Sequence, residues 1–203
     1  MDFHSAIVAA LVAWKVGTTP ADVMIRVWQE PKFAERLQKA LIEQVQFEDI
    51  VRATAIREGI PEEVLVRVVR VVQWESTMRP YPPLGGVGEI GPCQVHPRYA
   101  IWFLLMFGRD ILKDRGLGET LSQMTINLTQ ELAEEVLADP QHNMTVMARN
   151  LKWMYGRYKS WRKTIVGYNW GGGNVANAGD QWWEQAPAAT RRYSEYVSAG
   201  LDG

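Results

Sequence analysis

The segment from Gly59 to Ser76 constrains the fold more than any other part of the chain. It opens with Gly-Ile-Pro-Glu-Glu and continues as the valine-rich run VLVRVVRVVQW before Glu75. β-Branched residues favour a strand. Proline in the first turn, two acids at the positive end of the helix dipole and a run of about 16 residues favour a helix instead. We therefore predict a helix that ends near Glu75.

Glu75 falls on the apolar stripe of that helix. At 100° per residue, Val64, Val68, Val71 and Val72 all lie within about 60° of it. Burial disfavours the charged form of a carboxylate and raises its pKa, which is how a glutamic acid becomes a proton donor near neutral pH. An ion pair with one of the arginines is the alternative, and the helix pattern alone does not decide between the two.

The rest of the chain is also mostly helical in pattern. Further helices are predicted at three places: Tyr99–Phe107, Met144–Lys159 and Thr190–Leu201. The stretch from Arg79 to Pro97 is dense in Pro and Gly, which is typical of loops or a hairpin. We expect a mainly α fold with a small β-hairpin region. Residues 1–48 are expected to form an N-terminal helical extension, and residues 49–203 the main domain.

Composition excludes some classes of function. The net charge of −1 argues against binding to a polyanion over the whole surface. The single cysteine, Cys93, excludes an internal disulfide, and together with His96 it supplies too few ligands for a metal site. The apolar run Ala6–Trp14 is too short to span a membrane and lacks the basic start of a signal peptide. We therefore expect no metal, no cofactor and no membrane span.

A basic stretch at residues 149–163 carries aromatic residues between its charges, and no acidic residue occurs between Asp139 and Asp180. Such interleaving is used to bind nucleic acid or acidic glycans, and it is also typical of a helix with one solvated charged face. We favour the solvated face and regard nucleic acid as the weakest of the three. The DQWWEQ segment at 180–185 is either a sugar-stacking wall or part of the core.

Several stretches of the chain match known motifs in order and spacing. Glu75-Ser76 stands at the predicted helix end, GEIGPCQVHP occupies residues 88–97, and GYNWG occupies residues 167–171. Together they resemble the soluble lytic transglycosylase family, whose lysozyme-like domain carries E-S, G-A-I-G-L-M-Q-I-x-P and A-Y-N-x-G. DPQHN at 139–143 and TRRYSEYV at 190–197 resemble two further family stretches, D-P-x-x-N and T-x-x-Y-x-x-x-V. The resemblance covers about residues 60–200.

The resemblance implies a lysozyme-like fold and an enzyme that acts on the glycan strands of peptidoglycan. The implied reaction cleaves the bond between N-acetylmuramic acid and N-acetylglucosamine. Glu75 is implied to protonate the leaving oxygen and then, as the carboxylate, to take the proton from the muramoyl C6 hydroxyl as a 1,6-anhydro ring closes. An internal hydroxyl and the acetamido group of the substrate then replace the second carboxylate that ordinary glycosidases need.

The same resemblance implies binding roles for other residues. Ser76 would orient Glu75 or the N-acetyl group, and Gln94 and Tyr168 would hydrogen-bond the sugar or Glu75. Asn169 would fix its loop and bind glycan. Each of these residues could instead only satisfy a neighbouring polar group of the protein.

The chain departs from the family pattern between Gly88 and His96. Pro92-Cys93 replaces Leu-Met, which makes the sugar-contacting floor smaller and places a thiol there. Glu89 replaces a small residue and could act as a second carboxylate, which would let water compete. Goose-type lysozymes, which are hydrolytic relatives, resemble the chain in GPCQVHPRY but carry Asp where this chain has His96. This difference favours the transglycosylase. The alternatives are hydrolysis, or a wall-binding or structural virion protein with a weakened site, which Pro92-Cys93 and Glu89 suggest.

Delivery is a separate question, because peptidoglycan lies outside the cytoplasm. With no convincing signal peptide, we expect a bacteriophage protein that is mounted in the virion or released from the host cell. Residues 1–48 would then dock it to virion proteins. A bacterial enzyme of the cell envelope is the alternative.

Overall fold

The computed structural model describes residues 47–75 and 88–202, with the backbone alone for residues 71–75. The chain divides into two units, Met1–Asp49 and Ile50–Gly203, and the fold below is that of the second. The helices predicted before residue 46, with their docking role, lie outside the described residues. So do Ser76 and residues 79–87 of the segment from Arg79 to Pro97.

Helices make up most of the described structure. After a helical stretch at 47–58, they are α1 (Glu62–Glu75), α2 (Ala100–Phe107), α3 (Arg109–Asp114), α4 (Leu121–Asn127), α5 (Gln130–Ala138), α6 (Pro140–Tyr158), α7 (Trp161–Trp170), α8 (Gly172–Ala178), α9 (Trp182–Gln185) and α10 (Ala188–Ser198). In the described residues, the predicted hairpin region is reduced to one antiparallel bridge, between Ile90 and Val95. The expected mainly α, lysozyme-like class is confirmed.

Helix α1 confirms the prediction of a helix for the valine-rich run. Five of its described aliphatic side chains are buried: Val64, Leu65, Val66, Val68 and Val69. Burying such a side chain stabilises the fold by about 1.5–3 kcal/mol, which outweighs the penalty of under about 1 kcal/mol for β-branching in a helix. Arg67 also ties α1 to the end of α10, because its guanidinium donates to the carbonyl oxygens of Val197 (3.0 Å) and Ala199 (2.7 Å).

Helix α6 is the central helix of the unit and packs against α2, α5 and α7. It begins four residues before the predicted start at Met144, because Asp139 caps it and Pro140 fills its first turn. The Asp139 carboxylate accepts hydrogen bonds from the backbone N–H groups of Gln141 (2.8 Å) and His142 (3.0 Å). Its buried apolar residues form the core: Met144, Val146, Met147, Ala148, Leu151 and Met154.

Helices α3, α4, α5 and α7 were not predicted. The first three have six, seven and nine residues, too few to show a helical period clearly. Helix α7 contains Tyr168 and Asn169; the expectation that Asn169 lies in a loop is wrong. Two caps start α7: Ser160 bonds the N–H of Lys163, and the Asp202 carboxylate accepts from the N–H groups of Trp161 and Arg162 at 2.6 Å each.

Some charges of the basic stretch have partners within the protein. Arg149 lies between the carboxylates of Glu58 and Asp110, and the Lys152 ammonium donates to the Glu58 carbonyl at 2.9 Å. The Lys163 ammonium lies 5.3 Å from the centre of the Trp182 ring. These contacts favour a structural interpretation of the charges they involve.

The tryptophans of DQWWEQ belong to a small core. Trp182 and Trp183 are half-buried and pack against Val166, Val175 and Ala186. This packing favours the core interpretation of the segment. Within the part of the chain that the structure describes, no helix is long and apolar enough to cross a bilayer.

Candidate functional site

Glu75 is the last residue of α1. The apolar stripe predicted to carry Glu75 is fully buried at Val68 and Val64, which lie about two and about three turns earlier in the helix. The Glu75 side chain and all of Ser76 lie outside what the structure describes, so their roles stay predictions.

The second motif stretch forms a tight turn closed by the Ile90–Val95 bridge, and we call residues 90–95 the glutamine loop. Ile90 and Val95 exchange backbone hydrogen bonds of 2.9 Å, and the Gln94 N–H donates to the Gly91 carbonyl at 3.0 Å. Gln94 has a φ of 50°, a left-handed conformation that costs a non-glycine residue about 1–2 kcal/mol. Such strain persists only where the surroundings enforce it, and it is enriched at functional sites.

The Gln94 side chain is half-buried and fixed to its own loop. Its Nε2 donates to the Gly91 carbonyl at 2.9 Å. The Oε1 atom is therefore the part of the amide suited to receive a hydroxyl or N–H group of a ligand.

Asn143 on α6 forms hydrogen bonds to the backbone of the glutamine loop. This side chain is fully buried on α6, where its Nδ2 donates to the carbonyls of Ile90 (2.9 Å) and Leu137 (3.1 Å). Its Oδ1 accepts from the Cys93 N–H at 2.9 Å. Gly91 lies directly on it, since an added Cβ would come within 2.6 Å of Asn143 Nδ2. The loop is therefore built around this amide.

Tyr168 reaches the same loop from the last turn of α7. Its hydroxyl donates to the Cys93 carbonyl at 2.5 Å, and its ring stacks against Tyr193 of α10. Burial, with smaller contributions from Tyr193 and Cys93, raises the pKa of the Tyr168 hydroxyl well above its ordinary value. The group is therefore a neutral hydroxyl at physiological pH and can act as a hydrogen-bond donor. The expected bonds of Tyr168 to a sugar or to Glu75 stay predictions.

Cys93 takes part in the candidate site through its backbone N–H and carbonyl groups, which bond Asn143 and Tyr168. The thiol is only 1% exposed, and burial raises its pKa far above the ordinary value, which keeps it protonated and unreactive. The burial of its side chain argues against direct contact between the thiol and a glycan. Pro92 is buried beside it, so both departures from the family pattern face the protein interior.

Asn169 and Glu89 lie at the edges of this arrangement. Asn169 is exposed, and its Oδ1 accepts a hydrogen bond of 2.6 Å from the hydroxyl of Thr190 on α10. Glu89 is half-buried next to the glutamine loop. Their predicted contacts with substrate stay predictions.

The structure also identifies two residues whose roles the sequence analysis missed, Asn143 and Thr190. Both belong to motif stretches that were matched, D-P-x-x-N and T-x-x-Y-x-x-x-V, so the signal was present. It could not be interpreted because each residue acts on a partner distant in sequence, the glutamine loop and Asn169 respectively.

No group of three or more His, Cys, Asp and Glu residues within the described ranges could hold a metal ion. The described part of the site presents neutral side-chain amides and a tyrosine hydroxyl, which suit the recognition of hydroxyl and acetamido groups. The hydrogen bond from Tyr168 also connects the glutamine loop to α7, so a sugar bound there could contact several polar atoms.

Comparison with known proteins gives one match. The family model described as the transglycosylase SLT domain matches residues 49–189, a range that includes Glu75, the glutamine loop and Tyr168. No curated protein and no solved structure matches the chain significantly. The match covers most of the chain and indicates lytic transglycosylase-type cleavage of peptidoglycan. The chain belongs to the transglycosylase SLT family.

Proposed function

We propose that the protein is a lytic transglycosylase that cleaves the β-1,4 bond between N-acetylmuramic acid and N-acetylglucosamine in peptidoglycan, with Glu75 as the general acid and base. The observation that carries this proposal is the hydrogen bond from Tyr168 to the glutamine loop, because it joins two motif stretches that are far apart in sequence. The family match supports the substrate class.

The proposed reaction needs only one protein carboxyl group. Protonated Glu75 gives its proton to the glycosidic oxygen as the bond to the muramoyl C1 breaks. The acetamido group of the muramic acid assists from the opposite side and stabilises the positive charge at C1. The Glu75 carboxylate then takes the proton of the C6 hydroxyl, whose oxygen bonds to C1. This step restores the acid and consumes no water.

The remaining side chains are proposed to hold the sugar. Gln94 Oε1 would accept from a hydroxyl or N–H group of the glycan, and the Tyr168 oxygen retains a lone pair for the same purpose. Asn169, fixed by Thr190, would offer its amide N–H groups, since its Oδ1 is already occupied. Ser76 would orient Glu75 or the acetamido group.

A digest of purified peptidoglycan tests the proposal, with products separated by mass spectrometry. The wild type is compared with Glu75→Gln and with Glu62→Gln, a control at the exposed start of the same helix, where Glu62 pairs with Arg52 at 3.3 Å. Loss of the general acid should lower the rate by about 10²–10⁴-fold, while the control keeps the wild-type rate. Muropeptides ending in 1,6-anhydro-muramic acid are the expected products.

Other outcomes would contradict the proposal in distinct ways. Reducing ends that disappear in Glu89→Gln would indicate hydrolysis with Glu89 as the second carboxylate. Equal product from wild type and Glu75→Gln would exclude Glu75 as the acid. No soluble product from a folded wild type would favour a wall-binding or structural protein.

We also propose that the protein acts from a phage virion or after release from the host cell. Detection of the chain in purified virions by mass spectrometry would support the first of these settings. Its absence from virions would leave release at lysis or a bacterial envelope.

A further inference from the structure

We propose that Asn143 is a positioning residue that sets the geometry of the glutamine loop, and through it of Gln94, for glycan cleavage. The inference rests on the proposed function, because it assigns Gln94 to the substrate site. Asn143 itself touches no substrate, since its side chain is fully buried.

In the observed orientation, both N–H groups and the oxygen of the Asn143 amide form hydrogen bonds. Its two N–H donors serve the carbonyls of Ile90 and Leu137, and its oxygen accepts from the Cys93 N–H. A rotated amide would set its N–H groups against the Cys93 N–H and its oxygen against carbonyl oxygens, with a buried mismatch at each position. Only one orientation of the Asn143 amide can therefore bond both Ile90 and Cys93 of the glutamine loop.

The bonds to Asn143 fall on both sides of the turn that precedes Gln94. Ile90 O and Cys93 N flank Gly91 and Pro92, so the span is held at its two ends. Gly91, with a φ of 69° and no room for a Cβ, lets the backbone lie against the amide. This clamp can maintain the left-handed conformation of Gln94, which would otherwise tend to relax.

Cys93 is held from two directions. Asn143 of α6 binds its N–H and Tyr168 of α7 binds its carbonyl, each within 2.9 Å. Gln94 follows directly in the chain, so its position is set by two side chains from two packed helices. A displacement of about 1 Å in a group that orients substrate can cost about a hundredfold in rate. The clamp is therefore expected to affect turnover as well as stability.

The single cysteine allows the loop to be observed directly. Because Cys93 lies within the loop and is buried, the rate at which a thiol reagent labels it under native conditions reports how often the loop opens. Asn143→Ala is compared with Ser194→Ala, a matched control. Ser194 is also fully buried and donates to a carbonyl, that of Arg162 at 2.8 Å, on α10 away from the loop.

The expected result has a structural and a kinetic part. At urea concentrations that give the two variants equal global stability, Asn143→Ala should be labelled about tenfold faster or more, because its loop has lost two buried hydrogen bonds. Its kcat on peptidoglycan, per folded molecule, should fall by about 10–100-fold, with a smaller change in KM. Ser194→Ala should retain the wild-type kcat.

A second variant separates positioning from simple destabilisation. Asn143→Asp keeps the shape of the side chain, but only the protonated carboxyl can donate to one of the two carbonyls. The ionised form faces both carbonyl oxygens without a donor. The kcat of this variant relative to wild type should therefore rise as the pH falls, whereas a purely structural role predicts a constant ratio for the folded protein.

Two results would overturn the inference. One is equal labelling of Cys93 in Asn143→Ala and Ser194→Ala at matched stability, which would show that Asn143 does not hold the loop. The other is faster labelling with an unchanged kcat, which would show that the loop geometry is irrelevant to turnover. If the folded wild type releases no product, it is the proposed function that fails, and the labelling rates alone decide whether Asn143 holds the loop.

Discussion

Replacing Arg149 with methionine is expected to destabilise the protein without changing its chemistry. The guanidinium donates to Glu58 Oε2 at 2.8 Å, to both Asp110 oxygens at 2.6 and 2.8 Å, and to the Phe107 carbonyl at 2.7 Å. It thereby connects the end of the 47–58 helix with α2, α3 and α6. Methionine keeps much of the apolar stem and removes every one of these bonds.

The expected loss of unfolding free energy in Arg149→Met depends on how exposed each partner of the guanidinium is. The Glu58 side chain is 10% exposed, so its carboxylate and the Phe107 carbonyl lose donors in a largely buried setting, at about 1–3 kcal/mol. Asp110 is 58% exposed and adds at most about 1 kcal/mol. Arg57 stays 3.0 Å from Glu58, which limits the loss. We expect a total of about 2–3 kcal/mol, below the 3–5 kcal/mol typical of a fully buried pair.

Urea unfolding at neutral pH measures this loss, with Arg115→Met as the matched control. Arg115 pairs with Glu135 at 3.2 Å where the two side chains are 34% and 69% exposed, so its replacement should cost under about 1 kcal/mol. Turnover per folded molecule should be unchanged in both variants. Equal losses of stability in the two variants would show that the partly buried Arg149 contacts stabilise the fold no more than an exposed ion pair does. A loss of turnover confined to Arg149→Met would indicate that the basic stretch binds glycan.

The pH dependence of unfolding tests the ion pair between Arg149 and Asp110. The hydrogen bond from Arg149 lowers the pKa of Asp110 below its ordinary value of 3.8. A carboxyl group with a lowered pKa in the folded state contributes stability that is present above the unfolded value and lost as the pH falls through the folded value. The stability of Arg149→Met should therefore fall less steeply than that of wild type below about pH 4.

Two further substitutions test the glutamine loop. Gly91→Ala should cost about 2–4 kcal/mol in thermal or urea unfolding, because its Cβ would meet Asn143 at 2.6 Å in addition to the cost of positive φ. Gly116→Ala, with a φ of 72° and nothing within 4 Å, carries the backbone cost alone, and an equal loss for both would contradict the close packing. Tyr168→Phe keeps the ring and leaves the Cys93 carbonyl without this donor. It should cost about 1–2 kcal/mol and reduce turnover, and unchanged stability in urea would count against the hydrogen bond.

Sequence reasoning predicted α1 well because several signals coincided there. Pro61, the paired acids and the long apolar run all favour a helix, and burial of Val64 and Val68 follows from the same period. It predicted α7 poorly, because Gly167 and the glycines after Trp170 resemble loop sequence. Gly167 is helical, with a hypothetical Cβ only 2.5 Å from the Met154 methyl, and it leaves room for that side chain.

The motifs predicted which residues belong to the candidate site, but they did not predict the contacts between those residues. Gln94 and Tyr168 were selected from matched stretches, whereas their connection through the Cys93 backbone depends on how α6 and α7 pack. Asn143 could not be assigned, because an asparagine near a helix start is ordinarily interpreted through local hydrogen bonds. Its partners at Ile90 and Cys93 are 53 and 50 residues away in sequence.

The fate of water during cleavage distinguishes the proposed transglycosylase reaction from hydrolysis. Peptidoglycan is digested with the wild-type protein in water labelled with oxygen-18, and the muropeptide ends are examined by mass spectrometry. We expect 1,6-anhydro-muramic acid ends that carry no label, because the C6 hydroxyl supplies the oxygen that closes the ring. Reducing ends that carry the label would contradict the proposed transglycosylase reaction and show that the enzyme hydrolyses the bond.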